Sequence, residues 1–175
     1  MSSFSRRSYG RISPSGRNRR PAVVICPSCD GPTVAAAVDA GTEIAVGDLL
    51  YQDTDDARPA SALPDEGSEA ANQAAFHDFF LGAATTAKPA GSAGTVIAQV
   101  AGRRTFSCAS QTFELGQLVG PNENGGGTAL LNQEVTPVAS ATLAIGRVSR
   151  RYAVATTTVE VDMVSTVMYG GPMPL

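Results

Sequence analysis

Four short segments of this chain share one pattern, an apolar run that reaches a glycine and continues through a polar or small residue into further apolar positions. The segments are IAVGDLL, FFLGAA, FELGQLV and LAIGRVS, with glycines Gly47, Gly82, Gly116 and Gly146 lying 35, 34 and 30 residues apart. Because glycine accepts a positive φ and fits into bulges, each segment predicts a tight corner followed by a strand. Only the corner recurs, so a solenoid repeat is not indicated. The pattern favours a β-barrel or sandwich with a binding or structural role.

The rest of the sequence predicts a mainly β fold, a small barrel or sandwich of about eight short strands with one short helix. The predicted strands cover residues 33–38, 43–51, 95–101, 103–108, 117–120, 130–138, 144–150 and 156–168, and another begins near residue 79. Val96, Ala98 and Val100 are expected on one face of their strand, because apolar residues alternate there. The helix is predicted over 68–80, with Ser68 as its N-cap. Residues 52–67 and 121–127 are expected to be exposed loops.

Charge divides the chain into an arm and a body. Residues 1–20 hold six arginines and no acid, whereas the rest carries seven basic and sixteen acidic residues. We therefore predict an extended basic arm at 1–22, a single β-barrel domain at 23–170 and an unpaired tail at 171–175. The arm is either a solvated tail or a docking element for an acidic surface. Its partner-binding residues would be Arg6, Arg7, Arg11, Arg17, Arg19 and Arg20.

Composition limits the class of protein. The chain has 175 residues, of which 43% are hydrophobic, and 27 of them are alanine. Such a core is thin, and thin domains gain stability from a partner surface. We expect no membrane span and no secretory signal, because no apolar run is long enough for either. Three cysteines do not form a complete disulfide set, which indicates a reducing cytoplasm or a particle assembled there.

Two cysteines at Cys26 and Cys29 have the spacing of a zinc knuckle, with Cys108 and His77 as the remaining ligands of the usual type. These partners lie in unrelated sequence contexts, so turn cysteines without a metal are the favoured interpretation. His77, the sole histidine, is expected to be a half-buried packing residue. We therefore predict no metal site and no cofactor.

Two charged clusters are also ambiguous. Residues 53–56 are dense in aspartate but lack the glycine and glutamate of a calcium loop, so a solvated acidic loop is favoured. Arg147, Arg150 and Arg151 could contact a partner's carboxylate, or they could keep a barrel rim soluble, which is the default. Neither a nucleophile elbow nor a phosphate-binding loop is present in the sequence, so we expect no enzymatic activity.

Taken in order, several segments resemble the small β-barrel cement or decoration proteins of tailed-phage heads. The matching positions are 47–50 (GDLL), 81–84 (LGAA), 104–106 (RTF), 115–119 (LGQLV), 145–148 (IGRV) and 159–164 (VEVDMV). The second Gly-Asp of that family is Gly116-Gln117 here, and the arm has no counterpart in it. The resemblance implies a barrel on the outer capsid surface of the virion, a homotrimer that clamps major capsid subunits and has no catalytic residues.

Two further hypotheses come from the residues themselves. A nucleic-acid-binding barrel would use the arginine arm on phosphates and stack bases on aromatic residues, for which Phe106 and Phe113 are the only nearby pair. It ranks lower because the body is acidic. A hydrolase based on Cys108, or on a metal at Cys26 and Cys29, rests on isolated residues and ranks last.

Overall fold

The computed structural model describes residues 31–173 and is mainly β. Within this range lie ten strands, two helices and two short 3₁₀ turns at Ala60–Ala62 and Ala141–Leu143. The strands are β1 (Thr33–Val38), β2 (Leu49–Asp53), β3 (Asp56–Pro59), β4 (Phe80–Ala84), β5 (Gly94–Gln99), β6 (Ala101–Phe113), β7 (Leu118–Glu123), β8 (Leu130–Pro137), β9 (Gly146–Val148) and β10 (Tyr152–Val164). The helices are α1 (Glu69–Asp78) and α2 (Thr166–Tyr169).

The first five strands form an antiparallel sheet in the order β1-β5-β4-β2-β3, here called the N-terminal sheet. Its two edge strands, β1 and β3, contact each other, so the sheet is rolled. Arg58 of β3 forms an ion pair with Asp39, the residue after β1, at 3.6 Å. The rolled sheet encloses small apolar side chains, here called the alanine-rich core: Ala36, Val38, Ile44, Leu50, Ala57, Leu81, Ala84, Val96, Ala98 and Val100.

The last five strands form a closed barrel in the order β10-β6-β8-β7-β9. The longest pairing joins β6 to β10, two antiparallel strands of 13 residues each. Side chains alternate along β10, where Val159, Val161 and Met163 are fully buried while Asp162 faces solvent. The mainly β fold with a small barrel is therefore confirmed, although a second, rolled sheet accompanies the barrel.

A second core lies between the barrel, helix α1 and the outer face of the N-terminal sheet. We call it the aromatic core, and its buried members are Leu49, Tyr51, Ala60, Phe76, Phe80, Ala83, Phe106, Cys108, Phe113, Val119, Leu130, Val135, Ile145, Val148, Val159, Val161 and Met163. Helix α1 contributes Phe76, whose ring contacts those of Tyr51 and Phe80 at centroid distances of 6.0 and 5.7 Å. The helix begins as predicted, since the Ser68 side chain accepts a hydrogen bond from the N–H of Ala71.

The four glycine segments have three different roles. Gly47 and Gly116 have φ values of +99° and +80° in the turns that precede β2 and β7, as predicted. Gly82 lies at a bulge where β4 shifts register against β2, which the pattern also allowed. The corner prediction is wrong for Gly146, which begins β9 in regular pairing. A Cβ at that position would lie 2.4 Å from the carbonyl oxygen of Asp162, so glycine is required by close strand approach.

Parts of two predicted loops are in fact paired strands. Residues 52–59 form most of the β2–β3 hairpin instead of an exposed loop, with Thr54 at φ +50° in its turn. Pro59 is accommodated because β3 is an edge strand. Residues 121–123 belong to β7, where Pro121 pairs with Val135, and the loop tip begins only at residue 124. The proline carbonyl accepts a hydrogen bond from Gln73 Nε2, at 2.9 Å.

Two other segment boundaries differ from the prediction. The strand expected over 43–51 begins only at Leu49, and Ile44 makes an isolated bridge to Lys88. At the other end, β10 stops at Val164, because the buried Ser165 caps the N-terminus of α2 by accepting from Met168 N–H. The tail is not free of contacts over its described part, since Gly171 and Pro172 are buried.

Candidate functional site

The six arginines predicted to bind a partner lie outside the described residues, and so do Cys26 and Cys29. The described chain begins at Gly31, which is packed tightly against the backbone of β6: a Cβ at this glycine would lie 1.9 Å from the carbonyl oxygen of Ala101. The described chain therefore begins where the N-terminal sheet meets the barrel.

The glycine corners at Gly47 and Gly116 contain the same kind of side-chain hydrogen bond. Asp48 Oδ2 accepts a hydrogen bond from the N–H of Ala45, three residues earlier, at 2.8 Å. Gln117 Oε1 accepts in the same way from the N–H of Glu114, at 3.0 Å. The substitution of glutamine for aspartate at the second corner therefore preserves the turn, because both side chains present an oxygen to the same backbone position.

Asp48 also joins the two sheets. Its side chain is buried, and its Oδ1 accepts a hydrogen bond from Gln133 Nε2 of β8 at 2.8 Å. Two further bonds cross the same boundary, from Ser61 N to Asn132 Oδ1 at 2.7 Å and from Ser165 Oγ to the Phe80 carbonyl at 2.9 Å. Such polar contacts fix the relative placement of the elements that they connect.

A cavity of about 500 Å³ opens beside the end of α1, the Ala141–Leu143 turn and the C-terminal tail. His77 lies at its wall and is nearly fully buried, with Nδ1 donating to the Ala144 carbonyl at 2.7 Å. The packing role predicted for His77 is thus consistent with its environment, but the residue is more buried than expected. A side chain at Gly171 would meet the His77 ring at 2.9 Å, so glycine allows the tail to cover the histidine.

Arg147 lines the same cavity and holds two backbone carbonyls. Its Nη1 donates to Gly116 O and its Nη2 to Met173 O, both at 2.8 Å. Within residues 31–173 it forms no ion pair with a carboxylate. The guanidinium thereby connects the corner before β7 to the C-terminal tail, and sequence analysis missed this link because the three residues are remote along the chain.

The other two arginines of the predicted basic cluster have separate contacts. Arg150 lies over the Tyr152 ring at 4.7 Å from its centroid, which is cation–π geometry. Arg151 forms an exposed ion pair with Glu114 at 3.0 Å. The three arginines of 147–151 therefore do not converge on one point of the surface.

The predicted acidic loop at 53–56 is the turn of the β2–β3 hairpin, and a fourth carboxylate, Asp39, joins it from the end of β1. Partial desolvation, followed by the charges of Asp39 and Asp55, raises the pKa of Asp56 above its ordinary value. Arg58 pairs with Asp53 at 2.8 Å and with Asp39. Sequence analysis missed Asp39, because only the rolling of the sheet brings it close.

Cys108 is buried, and its thiol donates to the Thr156 carbonyl with an Sγ–O distance of 3.5 Å. Burial, and secondarily the charge of Glu134, raises the pKa of this thiol. Both effects disfavour the thiolate, which is the reactive form. Phe106 and Phe113 are only 3% and 1% exposed, so the pair named for base stacking does not lie on the surface.

Across residues 31–173, no three histidine, cysteine, aspartate or glutamate side chains cluster closely enough to hold a metal ion. None of the helices in this range has the length and apolar character needed to traverse a bilayer.

No protein-family model matches this chain, and no curated protein matches it. Among solved structures, it is similar to the crystal structure of the head fiber gp8.5 N base in bacteriophage phi29. The two share 14% sequence identity, the TM-score is 0.41, and the alignment covers 82% of this chain and 100% of that chain. The chain's own strand pairing defines its fold, because a likeness at this TM-score does not.

Proposed function

We propose that this chain is a structural protein of a virus particle, which binds the outside of the capsid and reinforces the lattice of the major capsid protein without catalysis. One observation carries the proposal. The segments that resemble cement proteins are the turns and strands that build the body, in the same order: the corner before β2, then β4, β6, the corner before β7, β9 and β10. The resemblance thus extends over strands of both sheets.

The charge division supports the same role. An acidic body with six arginines on one arm presents two surfaces of opposite sign, and the arm would bind acidic surface on the capsid. A ligand that binds assembled subunits, but not dissociated ones, stabilises the shell by mass action. A homotrimer would engage three sites at once, so that individually weak contacts give strong retention.

The connections between the two sheets also suit a clamp. Asp48, Ser61 and Ser165 each take part in a hydrogen bond that crosses from one sheet to the other. Strain applied to the chain at Gly31 would therefore act on one connected body. The Cys108 thiol is buried and its pKa is raised by that burial, so it gives no reason to add a catalytic step.

The test compares three forms of the full chain on purified capsids that lack it. In the arm variant, all six arginines of residues 1–20 become glutamine. In the control, the six serines of that segment, Ser2, Ser3, Ser5, Ser8, Ser13 and Ser15, become alanine. We expect the wild type and the control to sediment with capsids and to raise the temperature of DNA release, and the arm variant to lose at least tenfold in affinity. Mass spectrometry should detect the wild-type chain in purified virions, and its absence from them would end the proposal.

Filter binding to DNA at two salt concentrations tests the alternative function. Affinity that falls steeply with salt, together with no capsid binding, would replace the proposal by a nucleic-acid role for the arm. We expect no binding at physiological salt, because the body carries an excess of nine negative charges.

A further inference from the structure

The chain ends its β structure in a helical turn that is apolar on its outer side. Val167, Met168 and Tyr169 of α2 are 44%, 46% and 53% exposed, and Met173 in the following tail is 77% exposed. We call these four residues the C-terminal apolar patch. Single exposed apolar residues are ordinary, but three in succession on one turn, with a fourth exposed apolar residue four positions further along the chain, form a surface that water solvates poorly.

The N-terminal segment joins the body beside this patch. Val100, between β5 and β6, donates its N–H to the Pro32 carbonyl at 2.9 Å and accepts at its own carbonyl from Ser165 N–H at 2.8 Å. The next residue, Ala101, pairs with Val164 at the end of β10. Pro32 and Ser165, the N-cap of α2, are therefore joined through a single residue.

The sequence just before this junction contains the chain's first apolar run. Residues 22–25 read Ala-Val-Val-Ile, and six peptide steps separate Ile25 from Gly31. Six residues span at most about 20 Å when extended. Helix α2 has four residues, so its length is about 6 Å. The apolar run thus reaches Val167, Met168 and Tyr169, the three patch residues on α2.

We propose that residues 22–25 pack on the C-terminal apolar patch of the same chain. The contact removes apolar surface from water on both sides, which is favourable in proportion to the area covered. It also anchors the arm two residues after Arg20, so the six arginines extend from a fixed corner of the body. The short connection favours this occupant over a second copy, since the run is tethered next to its binding surface at a high effective concentration. The inference is independent of the proposed capsid role.

Disulfide trapping in the full chain tests the contact directly. In a background with Cys26→Ser and Cys29→Ser, we combine Val24→Cys with Met168→Cys. The control combines Val24→Cys with Val154→Cys, because Val154 is an exposed apolar residue of β10 outside the patch. We expect mild oxidation to link the first pair within one monomer at least five times faster than the second. Equal rates would overturn the proposal, and so would a link that forms mainly between two chains, which would assign the patch to a second copy.

Oxidation of methionine in otherwise native protein gives a second readout. We expect peroxide to oxidise Met168 several-fold faster in Val24→Asp than in the wild type, because the charged residue leaves the apolar surface uncovered. Ile12→Asp adds the same charge elsewhere in the arm and should leave the rate unchanged. Met163, which is fully buried, reports whether each variant is folded. Equal Met168 rates in wild type and Val24→Asp would contradict the contact.

Discussion

The two cores of this molecule are filled by different side chains. In the described part of the chain, the alanine-rich core has ten buried residues, four of them alanine and none aromatic. The aromatic core has seventeen, including Tyr51 and four phenylalanines. Small side chains let strands approach closely: a Cβ at Gly82 of β4 would lie 2.1 Å from the Gln99 carbonyl of β5. The first core is filled by small side chains, whereas the second is filled by larger aliphatic and aromatic ones.

The two sheets also close differently. The barrel is a continuous ring, with β9 paired to both β7 and β10. The N-terminal sheet has no strand pairing between β1 and β3, although the two strands contact each other, and the Arg58–Asp39 ion pair bridges them. Backbone pairing is insensitive to pH, whereas a closure that uses charges is not. The following experiments test each of these differences.

The largest effect is expected from Phe76→Ala in the aromatic core. Phe76 is fully buried and contacts the rings of Tyr51 and Phe80. Its truncation should reduce the free energy of unfolding by about 3–5 kcal/mol, from lost transfer energy and the cavity left behind. Val96→Ala in the alanine-rich core removes only two methyl groups and should cost about 2 kcal/mol. Urea denaturation followed by circular dichroism measures both.

Phe79→Ala is the control for this comparison, because Phe79 lies close to Phe76 in the chain but is more than half exposed. It should change stability by about 0.5 kcal/mol or less. Should Phe76→Ala fail to fold, Phe76→Leu provides a measurable loss in the same direction. A cost for Val96→Ala that equals or exceeds that of Phe76→Ala would contradict the distinction between the cores.

Enlarging a buried side chain should have the opposite result from truncation, and should cost more stability in the alanine-rich core than in the aromatic core. Ala83 and Ala84 are neighbours on β4, and both are fully buried, but Ala83 faces the aromatic core and Ala84 the alanine-rich core. Ala84→Leu should lose about 1–3 kcal/mol, because the small side chains of the alanine-rich core have few rotamers through which to make room for added methylenes. Ala83→Leu should lose less, since neighbouring side chains there have rotamers through which to adjust. The urea denaturation midpoints of the two variants measure this difference. A larger loss of stability for Ala83→Leu than for Ala84→Leu would refute the explanation.

The sequence predicted those features of the fold that depend on local patterns, such as which face of a strand is buried and where a helix begins. Alternation placed Val96, Ala98 and Val100 on one buried face, and Ser68 marked the start of α1. The β2–β3 hairpin was missed because its turn contains no glycine, and because Pro59 was taken as a loop signal although an edge strand tolerates it.

The cavity was missed for a different reason. Its wall combines His77, Arg147 and Pro172, which come from a helix, a strand and the tail and share no local motif. The meeting of Asp39 with the acidic hairpin has the same origin, since it depends on how far the sheet rolls. Contacts of this kind depend on how distant segments pack together in the tertiary structure, and local periodicity does not predict that packing. The domain boundaries, the arginine arm and the trimer remain predictions.

The smallest effect concerns the charged closure of the N-terminal sheet. Because the pKa of Asp56 is raised in the folded state, this residue favours folding when protonated, below its unfolded pKa, and that contribution is lost as pH rises through the raised value. Asp65 behaves oppositely: hydrogen bonds from Gly67 N–H and the Asn72 side chain lower its pKa, so its contribution is present above the unfolded value and lost as pH falls through the lowered one. Carboxyl NMR titration of the folded protein should find Asp56 titrating above the ordinary aspartate pKa of about 3.9 and Asp65 below it.

Asp39→Asn separates the closure from the local turn in this titration. Removing the Asp39 charge should lower the pKa of Asp56, because Asp39 raises that pKa more than any other charged residue does. The pKa of Asp65 should not change. Asp55→Asn changes a charge within the hairpin itself and should shift Asp56 by a smaller amount. If Asp39→Asn leaves Asp56 unchanged while Asp55→Asn moves it, β1 and β3 do not approach each other in solution, and the N-terminal sheet is open where the barrel is closed.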